Sequence, residues 1–150
     1  MGPRAISDLK RLADLKVMAA DAALARAHVE LAEAERFTRR RAEELETSRG
    51  EADRVRRERI RAVLGRPSTI AQVSRITLAY HITEDDIRAC IDDLELARAA
   101  ETEAQERVRS AQAERARCML RQQKFEHLAE QLALAAASET EFREELEAEA

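Results

Sequence analysis

The residue types that most often carry enzyme chemistry occur in this chain, but their spacing does not form a catalytic or metal-binding pattern. His28, His81 and His127 are far apart, and none belongs to a set of ligands with the spacing of a metal site. Adjacent carboxylates such as Asp92 and Asp93 recur, but on a highly charged helix such pairs are typical of a solvated face rather than of acid–base catalysis. No glycine-rich segment has the lysine and spacing of a phosphate-binding loop. We therefore expect no catalytic residue, no metal site, no cofactor and no enzymatic activity.

The composition predicts helices rather than a sheet or a mixed fold. Of the 150 residues, 30 are alanine and four are aromatic, and the chain has three glycines and two prolines. Alanine, glutamate, arginine and leucine are strong helix formers, and a chain dominated by them is typical of long helices or coiled coils. A core built mainly from alanine is too thin to enclose a deep pocket, which further argues against an enzyme for small molecules.

The charge and the cysteines bear on partners and compartment. The formal net charge of -4 provides no global attraction to nucleic acid or to a membrane surface. Cys90 and Cys118 are 28 residues apart in one predicted helix, about 42 Å, so they cannot form a disulfide bond. Free thiols fit a reducing compartment, so we expect a cytoplasmic protein. We also expect no signal peptide and no membrane span, which leaves at most a peripheral contact with a membrane.

Two long segments carry heptad repeats, in which two positions of every seven form a seam that faces a partner helix. The first arm covers residues 5–64, and 12 of its 17 seam positions are apolar. These positions are Ile6, Lys10, Ala13, Val17, Ala20, Leu24, Ala27, Leu31, Ala34, Thr38, Arg41, Leu45, Ser48, Ala52, Val55, Arg59 and Ala62. Gly50 lies inside this arm and weakens it by about 1 kcal/mol relative to alanine.

The second arm covers residues 84–148, and 13 of its 18 seam positions are apolar. They are Ile87, Cys90, Leu94, Ala97, Glu101, Ala104, Val108, Ala111, Arg115, Cys118, Gln122, Phe125, Ala129, Leu132, Ala136, Glu139, Arg143 and Leu146. Heptads sustained over this length favour a coiled coil over a globular bundle.

Between the arms, residues 65–83 form a predicted tip. The sequence from Leu64 to Thr69 contains a glycine and a proline that end one helix, and Ser68 or Thr69 can cap a short helix over Ile70–Tyr80. The segment His81–Asp86 indicates a second break, after which Thr83 caps the second arm. The β-branched content of Val73–Leu78 leaves an extended conformation open.

Arms of similar length predict an antiparallel hairpin in one chain, and hence a monomer. If the ends of the arms are aligned, facing residues have numbers that add up to about 150, and Leu24 lies opposite Phe125. Four basic residues near the start then lie beside the acidic segment Glu139–Glu149, which supports this pairing. The four are Arg4, Lys10, Arg11 and Lys16.

Two features of the tip region predict a protein-binding site. An arginine-rich run from Arg49 to Arg66 has a net charge of +4, and bulky apolar residues concentrate just after it. The candidate residues are Arg54, Arg56, Arg57, Arg59, Arg61, Ile70, Val73, Ile76, Leu78 and Tyr80. An exposed apolar patch with a charged rim is typical of an interface. The alternatives are a solvated, salt-bridged arginine face and a small local core.

DNA binding is a third possibility for the same region. Residues Thr69–Val73 followed by Ile82–Ile87 have some features of a helix-turn-helix. The recognition helix would be Thr83–Asp93, which carries five acidic residues and a single arginine. Repulsion from the phosphate backbone argues against this reading, so we expect no nucleic-acid partner.

The chain resembles the YscO/FliJ family, the central-stalk proteins of type III secretion systems. The resemblance covers nearly the whole chain and rests on architecture and composition, because the family has almost no invariant motif. An Arg/Ala/Glu-rich chain of this length with two long helices fits the family. The arginine-rich run that ends in Ile60–Gly65 and the connector of about 20 residues fit the YscO branch best.

This resemblance implies an antiparallel coiled-coil hairpin similar to the central stalk of rotary ATPases. It implies that the end formed by both termini enters the hexameric secretion ATPase, and that the tip reaches toward the membrane-embedded export gate. Some members also bind chaperones of secreted translocators. The implied function is a non-enzymatic stalk or adaptor that couples the ATPase to the gate. The alternative is a general coiled-coil scaffold or tether.

Overall fold

The fold is built from two long α-helices. The computed structural model describes residues 2–67 and 69–150, and these residues contain helix α1 (Pro3–Val63), helix α2 (Ile70–Glu149) and no strand. Contacts between the helices pair later residues of α2 with earlier residues of α1, so the helices run antiparallel. The predicted all-α, two-helix hairpin is therefore confirmed. The extended alternative for Val73–Leu78 is wrong, because this segment lies in α2.

Helix α1 ends where a glycine allows the chain to leave the helical conformation. Gly65 has a φ of 78°, a left-handed conformation in which a residue with a side chain is strained. The Leu64 amide donates a hydrogen bond to the Ile60 carbonyl at 2.9 Å, and the Arg66 amide donates to the Val63 carbonyl at 3.3 Å. These bonds satisfy carbonyl groups of the last turn while the chain leaves the helix.

The start of α2 is a reciprocal cap. The Gln72 amide donates to Thr69 Oγ1 at 3.3 Å, and the Thr69 amide donates to Gln72 Oε1 at 3.0 Å. This is a capping box, in which two amides without partners in the first turn are satisfied together. The predicted cap is thus Thr69, and the alternative at Ser68 lies outside the described residues.

The predicted second break at His81–Asp86 is wrong, because α2 continues through this segment. Thr83 does not cap a helix there: its hydroxyl donates to the Ala79 carbonyl at 2.8 Å within α2. The segment contains neither glycine nor proline, so each residue costs at most about 0.7 kcal/mol in a helix. A new helix would need its own unfavourable nucleus, so continuation is preferred. The second helix therefore begins at Ile70, and residues 65–83 are not a separate element.

The seams predicted from the heptads form the core. All ten buried hydrophobic residues are seam positions, and six of them are alanines or cysteine, which lets the helices approach closely. The ten are Ile6, Ala13, Ala20, Ala27, Leu45, Leu94, Ala97, Ala104, Val108 and Cys118. Cys90 and Cys118 are both free thiols, as their separation predicts.

The predicted register between the helices is wrong. Asp21 contacts Arg115 and Asp14 contacts Gln122, so the numbers of facing residues add up to 136 rather than about 150. The difference of 14 is two heptads, and a shift by whole heptads keeps the same residues in the seams. The prediction placed about 20 residues in the tip, whereas α2 begins only a few residues after α1 ends.

The corrected register changes which residues face each other. Phe125 lines a hollow of about 220 Å³ with Leu9, Leu12 and Ala13, so it does not lie opposite Leu24. The four basic residues near the start no longer face the acidic segment at the end of α2. Their predicted electrostatic match with that segment is therefore lost.

The packing divides the chain into two compact units. The first unit joins the segment up to His28 to Glu106–Ala150. In it, Arg115 forms an ion pair with Asp21, and Gln122 Nε2 donates to Asp14 Oδ1 at 2.8 Å. Two polar seam positions of α2 thus find partners on the flank of α1.

The second unit is Val29–Gln105, and it also pairs its polar seam positions across the helices. Thr38 Oγ1 lies 3.2 Å from the Ala97 carbonyl, to which it donates. Arg41 lies 3.8 Å from the Asp93 carboxylate and also stacks over a phenylalanine ring of its own helix. These contacts explain how a seam with few large apolar residues stays paired.

Candidate protein interface

A groove lies between α1 and α2 near the connection between them, within the second unit. Its larger part has a volume of about 570 Å³. The lining residues are Ala52, Asp53, Val55, Arg56, Arg59, Ile60, Ile76, Thr77, Ala79, Tyr80, Thr83, Glu84, Ile87, Arg88 and Ile91. A neighbouring hollow of about 450 Å³ shares Arg59, Ile76 and Ala79 with it and adds Arg66, Pro67 and Arg75. We call the two hollows together the tip groove.

The tip groove exists because the seam opens toward the connection. Ile76 is half-buried there, but Tyr80 is 42% and Val73 50% exposed although both continue the seam of α2. On α1, the seam residue Arg59 is also exposed. A guanidinium group cannot be buried without a charged partner. Arg41 has such a partner across the seam in Asp93, whereas Arg59 keeps its charge at the surface and holds the helices apart.

The rim of the tip groove is organised by one contact between the helices. The Arg56 guanidinium lies over the Tyr80 ring, 5.5 Å from its centroid, which is a cation–π arrangement. Glu84, one turn further along α2, raises the pKa of the Tyr80 hydroxyl by accepting its hydrogen bond and by its negative charge, while Arg56 opposes this shift. The ring of Tyr80 is thus held at the rim with one face against a positive charge.

Of the predicted arginines, the structure brings Arg56 and Arg59 into the groove. Arg54 instead forms an ion pair with Glu58 of its own helix at 3.5 Å. Arg57 and Arg61 are exposed on α1 and do not line the tip groove. The solvated-face interpretation therefore fits part of the cluster and the binding interpretation fits the rest.

Of the predicted apolar residues, the structure brings Ile76 and Tyr80 into the groove. Ile70, Val73 and Leu78 are exposed beside it. A local core would bury most of these side chains, and only Ile76 is half-buried. The patch is therefore mostly accessible to a partner.

Sequence reasoning missed several residues that line the floor of the groove. Val55, Ile60, Ile87 and Ile91 contribute apolar surface, and Arg88 contributes charge on the side of α2. A signal for them was present, because the heptad spacing of the second arm continues backwards through Thr83 and Tyr80. The predicted break at residues 81–86 hid that continuity.

A second exposed surface lies at the end of α2. At the register of the first unit, residue 133 faces Pro3, and in the part of the chain that the structure describes no residue of α1 faces 134–149. Every residue from 130 to 150 is exposed, including the seam residues Leu132 and Leu146. We call residues 134–149 the C-terminal overhang. The predicted seam placement of Leu132 is not borne out by burial.

Other kinds of site find no support among the described residues. Within residues 2–67 and 69–150, no group of three or more histidine, cysteine or acidic residues is placed to hold a metal ion. None of the helices described is long and apolar enough to cross a membrane. The helix-turn-helix is not formed, because its proposed turn and recognition helix lie inside the unbroken α2.

Comparisons with known proteins do not identify a relative. No family model, no curated protein and no solved structure matches this chain.

Proposed function

We propose that this chain is a non-enzymatic stalk or adaptor of a type III secretion export apparatus, located in the cytoplasm. In this role it couples the secretion ATPase to the export-gate protein and binds chaperones of secreted translocators. The observation that carries the proposal is an antiparallel two-helix hairpin whose connected end holds an accessible apolar groove with an arginine rim. The antiparallel hairpin is the architecture that the resemblance to central-stalk proteins implies.

The tip groove supports the part of the proposal that concerns a partner. Its floor is apolar, and its rim carries Arg56, Arg59 and Arg88 against Asp53 and Glu84. An apolar centre supplies affinity on burial, and a charged rim steers the encounter of the two proteins. The partner surface that fits this groove is an apolar segment with acidic flanks, and we assign it to the export gate.

The test combines capture and secretion in the host of this protein. Deleting the gene should abolish secretion, and the wild-type chain should restore it while capturing the secretion ATPase and the export-gate protein. Val73→Ser with Ile76→Ser should leave helical content and melting nearly unchanged, because serine and the replaced residues have similar helix propensities and this end of the seam is open. The same variant should lose capture of the export-gate protein and should not restore secretion.

A matched control and a charge variant complete the experiment. Leu96→Ser removes an apolar side chain that is 71% exposed outside the groove, and it should behave like wild type. Arg56→Glu with Arg57→Glu should weaken capture, and raising the salt concentration should reduce the difference in capture between this variant and wild type.

A general scaffold or tether remains the alternative. It is favoured if secretion survives the gene deletion, or if the serine variant melts earlier while capture persists.

A further inference from the structure

We propose that two copies of this chain associate, with the C-terminal overhang of one copy bound in the tip groove of the other. The two surfaces have opposite charge, and both have exposed apolar residues at their centres. The association is an additional property of the chain and does not depend on any role in secretion.

The charges of the two surfaces are complementary. The overhang carries six glutamates and one arginine, a net charge of -5. The tip groove is lined by five arginines, which are Arg56, Arg59, Arg66, Arg75 and Arg88. Among the described residues that line the groove, two are acidic, Asp53 and Glu84, so the formal net charge of the lining is +3. Opposite fields of this kind accelerate and orient association.

The apolar parts also match. Phe142 and Leu146 are one helical turn apart, so they lie on the same face of α2, and Phe142 is 62% exposed. Helical spacing places Glu139 and Glu145 on the two sides of this face. An apolar ridge with an acidic rim thus meets a groove with an apolar floor and a basic rim. Isolated exposed residues need no explanation, but a ridge with this rim is typical of a binding surface.

Repulsion between like charges favours a contact between an overhang and a groove over a contact between two identical surfaces. Two overhangs would bring twelve glutamates together, and two grooves would bring together ten arginines. Each symmetric pairing is therefore opposed by like charges. Closure within one copy would have to break α2, because residues 92–133 of this unbroken helix separate the groove residues from the overhang residues in the sequence. The pairing that remains joins an overhang to the groove of another copy.

This arrangement has a consequence for assembly and for partner binding. An overhang-to-groove contact uses different surfaces on the two copies, so each contact leaves a free groove and a free overhang for further copies. The sequence predicts a monomer, and this association would replace that monomer only where the concentration is high enough for copies to meet. At high concentration and low salt we expect short oligomers that compete with any other ligand of the groove.

The decisive experiment is sedimentation analysis of complementary charge reversals. Glu145→Arg with Glu149→Arg makes the overhang less acidic, and Arg56→Glu with Arg59→Glu makes the groove less basic. Each double variant alone should associate about tenfold more weakly than wild type, since two exposed contacts become repulsive. An equimolar mixture of the two should associate again, because the unchanged overhang of the groove variant, with a net charge of -5, can bind the unchanged groove of the overhang variant, with a net charge of +3.

Controls separate this proposal from general charge effects. Glu95→Arg with Glu103→Arg changes the same number of exposed glutamates elsewhere on α2 and should associate like wild type. Phe142→Ser with Leu146→Ser should weaken association without changing the net charge. Restored association in the mixture also shows that both charge variants are folded. The experiment is informative whether or not the chain takes part in secretion.

Several results would overturn the proposal. One is a wild-type protein that stays monomeric at every concentration in low salt. Another is an association that either charge reversal leaves unchanged, or that the mixture fails to restore. A third is crosslinking between Ile76→Cys and Leu146→Cys that occurs within single chains rather than between differently labelled copies.

Discussion

In the second unit the same seam has a closed part in the middle, where its residues are buried, and an open part at the tip groove, where its residues are exposed. Along one seam line of α2, Leu94 is 6% exposed, Ile87 is half-buried, and Tyr80 and Val73 are exposed. On the other helix, Leu45 is buried, whereas Arg59 is exposed. The helices are therefore tightly packed in the middle of the unit and separate gradually toward the connection.

The difference shows that heptad position alone does not determine burial. In the closed part, Leu94 and Ala97 are buried, and the polar residue Thr38 reaches a carbonyl of the opposite helix. In the open part, arginines occupy or flank the seam of α1 and keep their charge at the surface. The closed part provides stability, and the open part leaves apolar surface exposed.

The largest expected effect is at the closed seam. Leu94→Ala should lower the free energy of unfolding by about 2–4 kcal/mol, because it removes a buried side chain and leaves a cavity. Leu96→Ala changes the same residue type two positions away, where it is exposed, and should alter stability by less than about 0.5 kcal/mol. Urea unfolding followed by circular dichroism measures both. Equal losses would mean that the seam is not closed at Leu94.

A smaller effect is expected at the connection beside the open part. Gly65→Ala should destabilise the fold by about 1–2 kcal/mol, because the positive φ of Gly65 brings the added methyl group close to the backbone. Beyond Gly65 and its two chain neighbours, no described atom lies within 4 Å of that methyl position, so the expected cost comes from local backbone strain. Thermal melting checks the prediction. An unchanged melting temperature would show that the connection adopts another conformation at no cost.

The smallest effect has the opposite sign and lies near the boundary between the two parts. Gly50→Ala should stabilise the fold by about 0.5–1 kcal/mol, because Gly50 has an ordinary helical conformation and nothing lies within 4 Å of the added methyl group. The same urea titration measures the gain. A loss of stability would indicate that the helices bend at Gly50, and that this bend contributes to the opening of the groove.

The seams were predictable from the sequence, whereas the register was not. Each seam residue is identified by its own spacing, so Ala13, Leu45 and Ala97 could be placed without knowledge of the partner helix. A shift by two heptads leaves every such assignment intact. The register depends on the length of the connection, and the polar segment around His81 was interpreted as a break although α2 continues through it.

The candidate site was predictable in part for the same reason. The concentration of bulky residues after the arginine run indicated the region of the tip groove, and Arg56, Ile76 and Tyr80 line this groove. The overhang was not predicted, since the assumed register paired it with basic residues of α1. Its exposure follows only from the contact between Asp21 and Arg115.

The pairing of Ser48 with Cys90, 42 positions apart, bears on how the chain folds. Closing that loop costs only about 0.8 kcal/mol less than closing the 108-residue separation between Asp14 and Gln122. The entropy of loop closure therefore favours the shorter loop over the longer one only weakly. The leucine-rich middle of the second unit provides the strongest early contacts. We expect a transition state that is structured around Leu94, with Ala13 joining later. Folding and unfolding rates of Leu94→Ala and Ala13→Gly give the φ-values that test this order.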